Sequence, residues 1–318
     1  MQVKKQSVIF IVGPTATGKT AIALKLAKKI KGEIISCDSM QVYKRMDILS
    51  QAPLAKETAA APYHLIKVLS PAKEFSAAIF VKRAGRLIKD IIKRKRIPII
   101  AGGTGLYVKA LIDGLFPSPE ADPVFRKKMY AYAQKYGSGY LYKKLQKADR
   151  EAAGKMHRND TRRIVRALEV LHSTGKTMTE LKKNTKGILG IYDVRIFGLT
   201  ARRDHMYSNI NDRVDRMIKA GAVKEVYKLR KKDISNTARS VIGLKELAGY
   251  IDGEYGLEEA TELMKRNTRR YAKRQLTWFR ADKRIRWFDI SSLRANEVSE
   301  AILKEIASHA TAAMAGSQ

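Results

Sequence analysis

Ser7-Val8-Ile9-Phe10-Ile11-Val12-Gly13-Pro14-Thr15-Ala16-Thr17-Gly18-Lys19-Thr20 runs from a mostly apolar segment into a glycine-bounded loop. That order reads as a buried strand feeding a phosphate-binding loop. Gly13 and Gly18 let backbone N–H groups turn inward around an anion, Lys19 adds a point charge, and the Thr20 hydroxyl suits a magnesium ion. The ligand these residues imply carries a di- or triphosphate. Ala21 to Lys31 supplies the following helix, with Ile22, Leu26 and Ile30 on one face and its N-terminal dipole aimed at the phosphates.

Outward from this loop, Glu33 to Ser36 reads as a second strand ending at Cys37-Asp38-Ser39. Phe75 to Arg96 has helical spacing and stops before Pro98. Ile97 to Ala101 is a further buried strand that runs into Gly102-Gly103-Thr104-Gly105 and the helix Leu106 to Ile112. Alternating strands and helices imply an α/β fold whose parallel sheet binds ligands at the carboxyl ends of its strands. From Pro117 to about Tyr192 the pattern changes to short amphipathic helices rich in Lys, Arg and Tyr. Val194 to Thr200 then restores a strand, and Arg202 to Lys232 reads as one long helix. The expected organisation is a discontinuous core, 1–116 and 193–308, with a helical insertion at 117–192 and a disordered tail at 309–318.

The 318 residues include 63 Lys and Arg against 31 Asp and Glu, a net charge of +32 that calls for a polyanionic partner, nucleic acid first. No apolar run approaches the length of a membrane span and no lipidation signal is present. Cys37 is the single cysteine, which excludes a disulfide framework and a thiolate metal site and fits a reducing cytoplasm. The five histidines lack metal-ligand spacing. A strand beginning near Ser7 leaves no room for a leader, so a cytoplasmic protein is expected.

A phosphate loop alone suggests a nucleotide hydrolase or kinase. Those enzymes need an acidic residue after an apolar strand to help hold magnesium, and here the third strand ends in Ala101-Gly102-Gly103-Thr104 instead. Asp38 is the acid at a strand end near the loop; it serves a metal, acts as a general base or caps a turn. Thr104 either caps the next helix or reaches a phosphate oxygen. On a helix at about 258–281, Arg266, Arg269, Arg270, Lys273, Arg274 and Arg280 share one arc, opposite Met264, Tyr271, Ala272, Leu276 and Phe279. Residues 262–286 hold ten basic and two acidic side chains, and such a cluster suits phosphodiester contact. Arg162, Arg163 and Arg166 begin a helix after Asn159-Asp160, with Arg162 and Arg166 one turn apart.

Four further stretches complete a pattern: Asp38-Ser39-Met40-Gln41-Val42-Tyr43-Lys44, Gly102-Gly103-Thr104-Gly105-Leu106-Tyr107, Arg166-Ala167-Leu168-Glu169-Val170, and Tyr271-Ala272-Lys273-Arg274-Gln275-Leu276-Thr277-Trp278-Phe279-Arg280. Together with the loop they make the chain resemble, over nearly its whole length, the tRNA dimethylallyltransferases, also called tRNA isopentenyltransferases. The resemblance implies a P-loop NTPase-like parallel sheet flanked by helices, with an inserted all-helical domain. It implies transfer of a dimethylallyl group from dimethylallyl diphosphate to the exocyclic amine of the adenosine 3′ of the tRNA anticodon, with magnesium as cofactor, a monomeric enzyme and no membrane partner.

In that pattern Asp38 is the general base, while Lys19, Thr104 and Arg213 stabilise the departing diphosphate; Arg216, three residues on, competes with Arg213 for that role. The flipped adenosine lies near Asp38, Ser39, Met40 and Gln41. Contacts to the anticodon stem-loop fall to Thr104, Arg126, Arg162, Arg163, Ile164, Val165, Arg166, Ser240, Gly243, Lys245, Arg270, Lys273, Arg274 and Arg280. The chain departs from the family pattern in places. Arg45 and Leu49 replace glycines, Ser50-Gln51-Ala52-Pro53 replaces Thr-Ala-Lys-Pro, Tyr63 and Lys67 replace His and Asp, and Leu244 replaces Tyr. Rival readings are an adenylate isopentenyltransferase acting on a free nucleotide, a nucleic-acid-dependent NTPase, and an RNA-binding protein with a vestigial loop.

Overall fold

The structure is a computed structural model that describes residues 5–117 and 119–315. Two compact units form, Met1–Ile112 with Ile191–Gln318, and Asp113–Gly190. The second unit begins and ends a few residues before the expected insertion at 117–192.

The first part of the first unit contains β1 (Ser7–Val12), α1 (Lys19–Lys29), β2 (Gly32–Ser36), α2 (Ala55–Ala60), β3 (Tyr63–His64), α3 (Ala77–Lys93), β4 (Ile97–Gly102) and α4 (Gly105–Asp113). The second unit holds α5 (Pro123–Tyr136), α6 (Ser138–Ala148), α7 (Arg150–Gly154), α8 (Thr161–Thr174) and α9 (Met178–Lys183). The chain then returns as β5 (Asp193–Thr200), α10 (Arg203–Lys219), α11 (Ala222–Arg230), α12 (Asn236–Arg239), α13 (Leu244–Ile251), α14 (Leu257–Arg280), β6 (Ile285–Asp289) and α15 (Ala295–Ala315).

The six strands make one sheet in the order β3-β2-β4-β1-β5-β6, every pairing parallel. The run Val8 to Val12 is fully buried, as a strand covered on both faces must be. Ile9, Ile11, Ile34 and Ile99 pack with Ile22 and Leu26 of α1 and with Val298 and Ile302 of α15. With β1 between β4 and β5, the phosphate loop leaves the middle of the sheet, and the ends of β2 and β4 open beside it.

Three expectations change. The stretch 202–232 is two helices, because Gly221 takes φ +96° and its amide tightens onto the Ile218 carbonyl three residues back, ending α10. The helix read from Phe75 starts at Ala77, where the Ser76 hydroxyl accepts the Ile79 amide; Phe75 instead packs edge-on against Tyr107 at 6.0 Å. Helix α15 runs to Ala315, through most of the stretch expected to be a disordered tail, whose residues 316–318 lie outside the described residues.

The second unit is entirely helical around Met129, Leu141, Leu145, Ala153, Ile164, Val165 and Leu168. Ile164 and Val165 are 0% and 1% exposed, so the expectation that they touch RNA is corrected: they are core. Arg126 and Arg166 are also committed internally. Arg126 donates from Nε and Nη2 to the two carboxylate oxygens of buried Glu169, at 2.8 and 2.9 Å. Arg166 donates to the same carboxylate and to the Pro119 carbonyl. Their first role is to neutralise Glu169; Arg162 and Arg163 remain exposed on α8.

Arg45, a departure from the family glycine, is exposed and sits at φ +62°, a conformation that costs a side-chain-bearing residue about 1–2 kcal/mol. Arg45→Gly is expected to raise stability by about 1 kcal/mol, because Gly adopts this φ without the Cβ clash while loosening the unfolded chain. Urea denaturation measures it; a loss of stability contradicts the assignment of strain.

Candidate functional site

Three loops meet at the carboxyl edge of the sheet. The first is Gly13 to Thr20, where Gly18 at φ +71° turns the chain into α1. Thr17 Oγ1 donates to the Pro14 carbonyl at 2.8 Å, and Lys19 Nζ reaches the same carbonyl at 2.5 Å. The second loop follows β2 and begins at Cys37-Asp38. The third is Gly102 to Gly105. It approaches so closely that a Cβ on Gly102 would lie 2.1 Å from the Cys37 carbonyl oxygen, which only glycine permits.

Asp38 Oδ1 accepts the amides of Met40 and Gln41 at 2.8 and 3.4 Å. The turn-capping role is therefore real, and it occupies one oxygen; among the described residues no hydrogen bond fixes Oδ2. The carboxylate acts electrostatically on both Lys19 and Arg213. Thr104 is not a side-chain helix cap. Its carbonyl accepts the Tyr107 and Val108 amides, while its hydroxyl accepts the Ser39 amide at 3.1 Å. With an acceptor site occupied, the Thr104 O–H is set to donate.

Arg213 settles against the loop: its Nη1 donates to Thr15 Oγ1 at 3.1 Å. Arg216 is exposed and folds onto its own helix, donating to the Asp212 carbonyl at 3.2 Å. Of the two arginines, Arg213 is the one that touches the loop. Burial lowers its pKa to about 10; Asp38 opposes that shift and Arg216 adds to it. Burial, followed by the charge of Arg213, takes Lys19 down to about 7 against the pull of Asp38.

These shifts fix a sign. At pH 8 the Lys19 amine is mostly neutral, and a bound diphosphate raises its pKa and draws in a proton. Calorimetric titration at pH 8 in two buffers of different ionisation enthalpy is expected to show uptake approaching one proton per diphosphate bound. Lys19→Met abolishes the uptake; equal heats in both buffers for the wild type contradict the assignment.

Gln275 is a site residue that the sequence reading passed over. It is 6% exposed; its Oε1 accepts the Thr15 amide and its Nε2 donates to the Gly103 carbonyl, each at 2.9 Å. One side chain thus ties the first loop to the third. Its signal was available, since position 275 lies one turn from both Tyr271 and Phe279 on the apolar arc, where a glutamine requires partners. Burial raises the pKa of the Tyr271 phenol, which keeps it neutral.

The remaining expected contacts divide. Ser39 and Met40 are half-buried at the site. Gln41 is held at both ends, donating to the Gln51 carbonyl and accepting from Ser36 Oγ, so it braces the loop. Arg270, Lys273, Arg274 and Arg280 form an exposed basic face on α14, but Arg269 leaves that arc to donate to Asn211 Oδ1 at 2.7 Å. Ser240 and Lys245 are exposed. Gly243 is buried and its amide donates to Glu246 at 2.8 Å, which corrects its expected role as an RNA contact.

Among the described residues no group of three or more His, Cys, Asp or Glu could hold a metal. The oxygen donors that the loop and the end of β2 offer are the Thr20 hydroxyl and the Asp38 carboxylate. This donor set fits a magnesium that arrives on a diphosphate and keeps several waters, rather than one held in an all-protein cage. Among the described residues no helix is long and apolar enough to cross a membrane.

The IPP transferase family model matches residues 41–282, and the isopentenyl transferase model matches residues 6–64. A tRNA dimethylallyltransferase of Carboxydothermus hydrogenoformans is 48% identical over 302 residues, covering 94% of this chain and 97% of that protein. The crystal structure of the full-length tRNA isopentenylpyrophosphate transferase of Bacillus halodurans superimposes with a TM-score of 0.71 at 41% identity, over 96% of each chain. A eukaryotic dimethylallyltransferase acting on tRNA gives 0.72 at 29% identity, over 90% of this chain and 74% of its own.

Proposed function

The chain belongs to the IPP transferase family, and from that premise we propose that it moves a dimethylallyl group from dimethylallyl diphosphate to the exocyclic amine of the adenosine immediately 3′ of a tRNA anticodon. It is a tRNA prenyl transferase, and the finer assignment follows from its residues. The observation that carries the reading is the convergence of Asp38, Lys19, Arg213 and Thr104 at one sheet edge, in the unit that bears the exposed basic face of α14.

The amine nitrogen forms a bond to the allylic carbon as the carbon–oxygen bond to diphosphate breaks. Asp38 Oδ2 takes the proton that the amine loses. Lys19, Arg213, the Thr104 hydroxyl and the loop amides donate to the oxygens on which negative charge collects. A magnesium ion, held by Thr20 and the diphosphate, would add Lewis-acid stabilisation of the leaving group. Arg270, Lys273, Arg274 and Arg280 on α14, with Arg162 and Arg163 on α8, supply phosphate contacts to the anticodon stem-loop of a tRNA bound by a cytoplasmic monomer.

Full-length enzyme incubated with labelled dimethylallyl diphosphate and either unmodified tRNA or AMP tests the acceptor. Label is expected in tRNA and not in AMP. Label in AMP alone supports the free-nucleotide reading and overturns this one.

A further inference from the structure

We propose that a tyrosine-lined hollow on the helical unit captures an unpaired base of the RNA substrate. This deepens the tRNA reading and rests on it. The hollow has a volume of about 690 Å³, within the size range of ligand pockets, and Tyr136, Tyr140, Tyr142, Lys143, Gln146 and Arg158 line it with Gly137 and Gly139. All belong to Asp113–Gly190.

The aromatic wall is built by spacing. Tyr132 and Tyr136 are one turn apart on α5, and Gly137, at φ +77°, turns the chain so that Tyr140 on α6 faces them. The Tyr136 and Tyr140 ring centroids lie 5.1 Å apart at 40°, and Tyr132 meets Tyr140 edge-on at 6.2 Å. A Cβ on Gly137 or Gly139 would meet nothing within 4 Å, so the backbone between the helices leaves space for a planar group.

Two features separate this hollow from a patch of ordinary surface tyrosines. Tyr136 is 53% exposed although it is one of a set of contacting rings, so an aromatic face is left to water beside a cavity. The two helices also carry one sign: α5 has four basic residues, of which Arg126 is held by Glu169, α6 has three, and neither has an acidic one. Lys135 lies over the Tyr136 ring at 5.2 Å, and Lys144 lies over Tyr140 at the same distance. Aromatic faces beside flexible cations are the parts from which single-stranded nucleic acid sites are made: bases stack on the rings and the cations take the phosphates. Gln146 adds an amide that can pair with a base edge. An acidic peptide would use the cations but leave the ring face unmatched, so RNA is the occupant that the whole lining favours.

The test uses the full-length enzyme, fluorescence anisotropy with an anticodon stem-loop RNA and with whole tRNA, and thermal melting as a check on folding. Tyr136→Ala is expected to weaken RNA binding about five- to fiftyfold with melting unchanged, and Tyr136→Phe, which keeps the ring face, to stay within about twofold of wild type. Lys143→Ala with Arg158→Ala is expected to reduce the salt slope of binding by about two units. Unchanged affinity in a normally folded Tyr136→Ala overturns the proposal, even if that variant loses affinity for an oligoglutamate peptide. AMP binding that depends on Tyr136 yet leaves the affinity of wild type for the RNA unchanged also overturns it, by making the hollow a free-nucleotide site. If wild type neither binds nor prenylates tRNA, the parent reading fails and the hollow loses its occupant with it; wild-type activity with an unaffected Tyr136→Ala removes the hollow alone.

Discussion

Asp38→Asn is expected to lower kcat for tRNA prenylation by about 10³-fold, within the range of lost general-base catalysis, while tRNA affinity stays within about threefold of wild type. The asparagine is the informative replacement. Its side-chain oxygen can still accept the Met40 and Gln41 amides that Asp38 Oδ1 holds, so the loop keeps its shape and the capacity to take a proton is lost. Asp38→Ala removes the turn anchor as well, and a further drop relative to Asn measures what the anchor contributes. Donor affinity is not expected to fall in either variant, because a carboxylate near an incoming diphosphate repels it. Single-turnover rates with saturating tRNA make the comparison, and near-normal turnover in Asp38→Asn would mean that Asp38 is a structural cap alone.

Glu169→Ala should produce a large loss of stability, about 2–3 kcal/mol, below the cost of breaking a fully buried ion pair because the two guanidinium groups left behind keep access to water. The side chain is fully buried and accepts from Arg126, Arg166 and the Asp122 amide, so its removal leaves two guanidinium groups without their shared counter-charge. Burial alone would raise the pKa of Glu169, but the hydrogen bonds from Arg126 and Arg166 outweigh it and take the carboxyl from 4.5 down to about 2. The linkage follows from that direction. The folded unit holds fewer protons than the unfolded chain between those values, so the contribution is complete above about pH 4.5 and is lost as pH falls toward 2. Urea titrations of wild type and Glu169→Gln at pH 7 and pH 3.5 check this, since the difference between the two proteins must shrink at the lower pH. Loss of the helical unit with retention of diphosphate binding locates the damage.

The same cluster shows how far a sequence reading reaches. Arg126 is an expected RNA contact through the family resemblance and Arg166 through its basic cluster; the i,i+3 spacing of Arg166 and Glu169 on α8 already allowed that pair, whereas nothing in the spacing ties position 126 to the carboxylate at 169. Ile164 and Val165 are expected contacts through the resemblance alone, and the fold places them in the core of the helical unit because apolar side chains on α8 face inward. By contrast, β1 and the loop after it were legible at once, because an unbroken apolar run followed by glycines has few other solutions. Strand β3 has two residues and α2 has six, too short for any period to register. The break between α10 and α11 depends on a single glycine inside an otherwise helical pattern. Arg213 is an expectation of the resemblance, and its contact with Thr15, which Arg216 does not share, needed the fold. Gln275 needed the fold, since its partners lie 260 and 172 positions away.

That distance has a consequence for biosynthesis. The phosphate loop leaves the ribosome 260 residues ahead of the glutamine that fastens it to the neighbouring turn. A nascent polypeptide therefore displays the recognition motif throughout translation but cannot shape it until α14 has been made. Premature termination upstream of that helix would yield fragments that carry the signature and lack a functional grip.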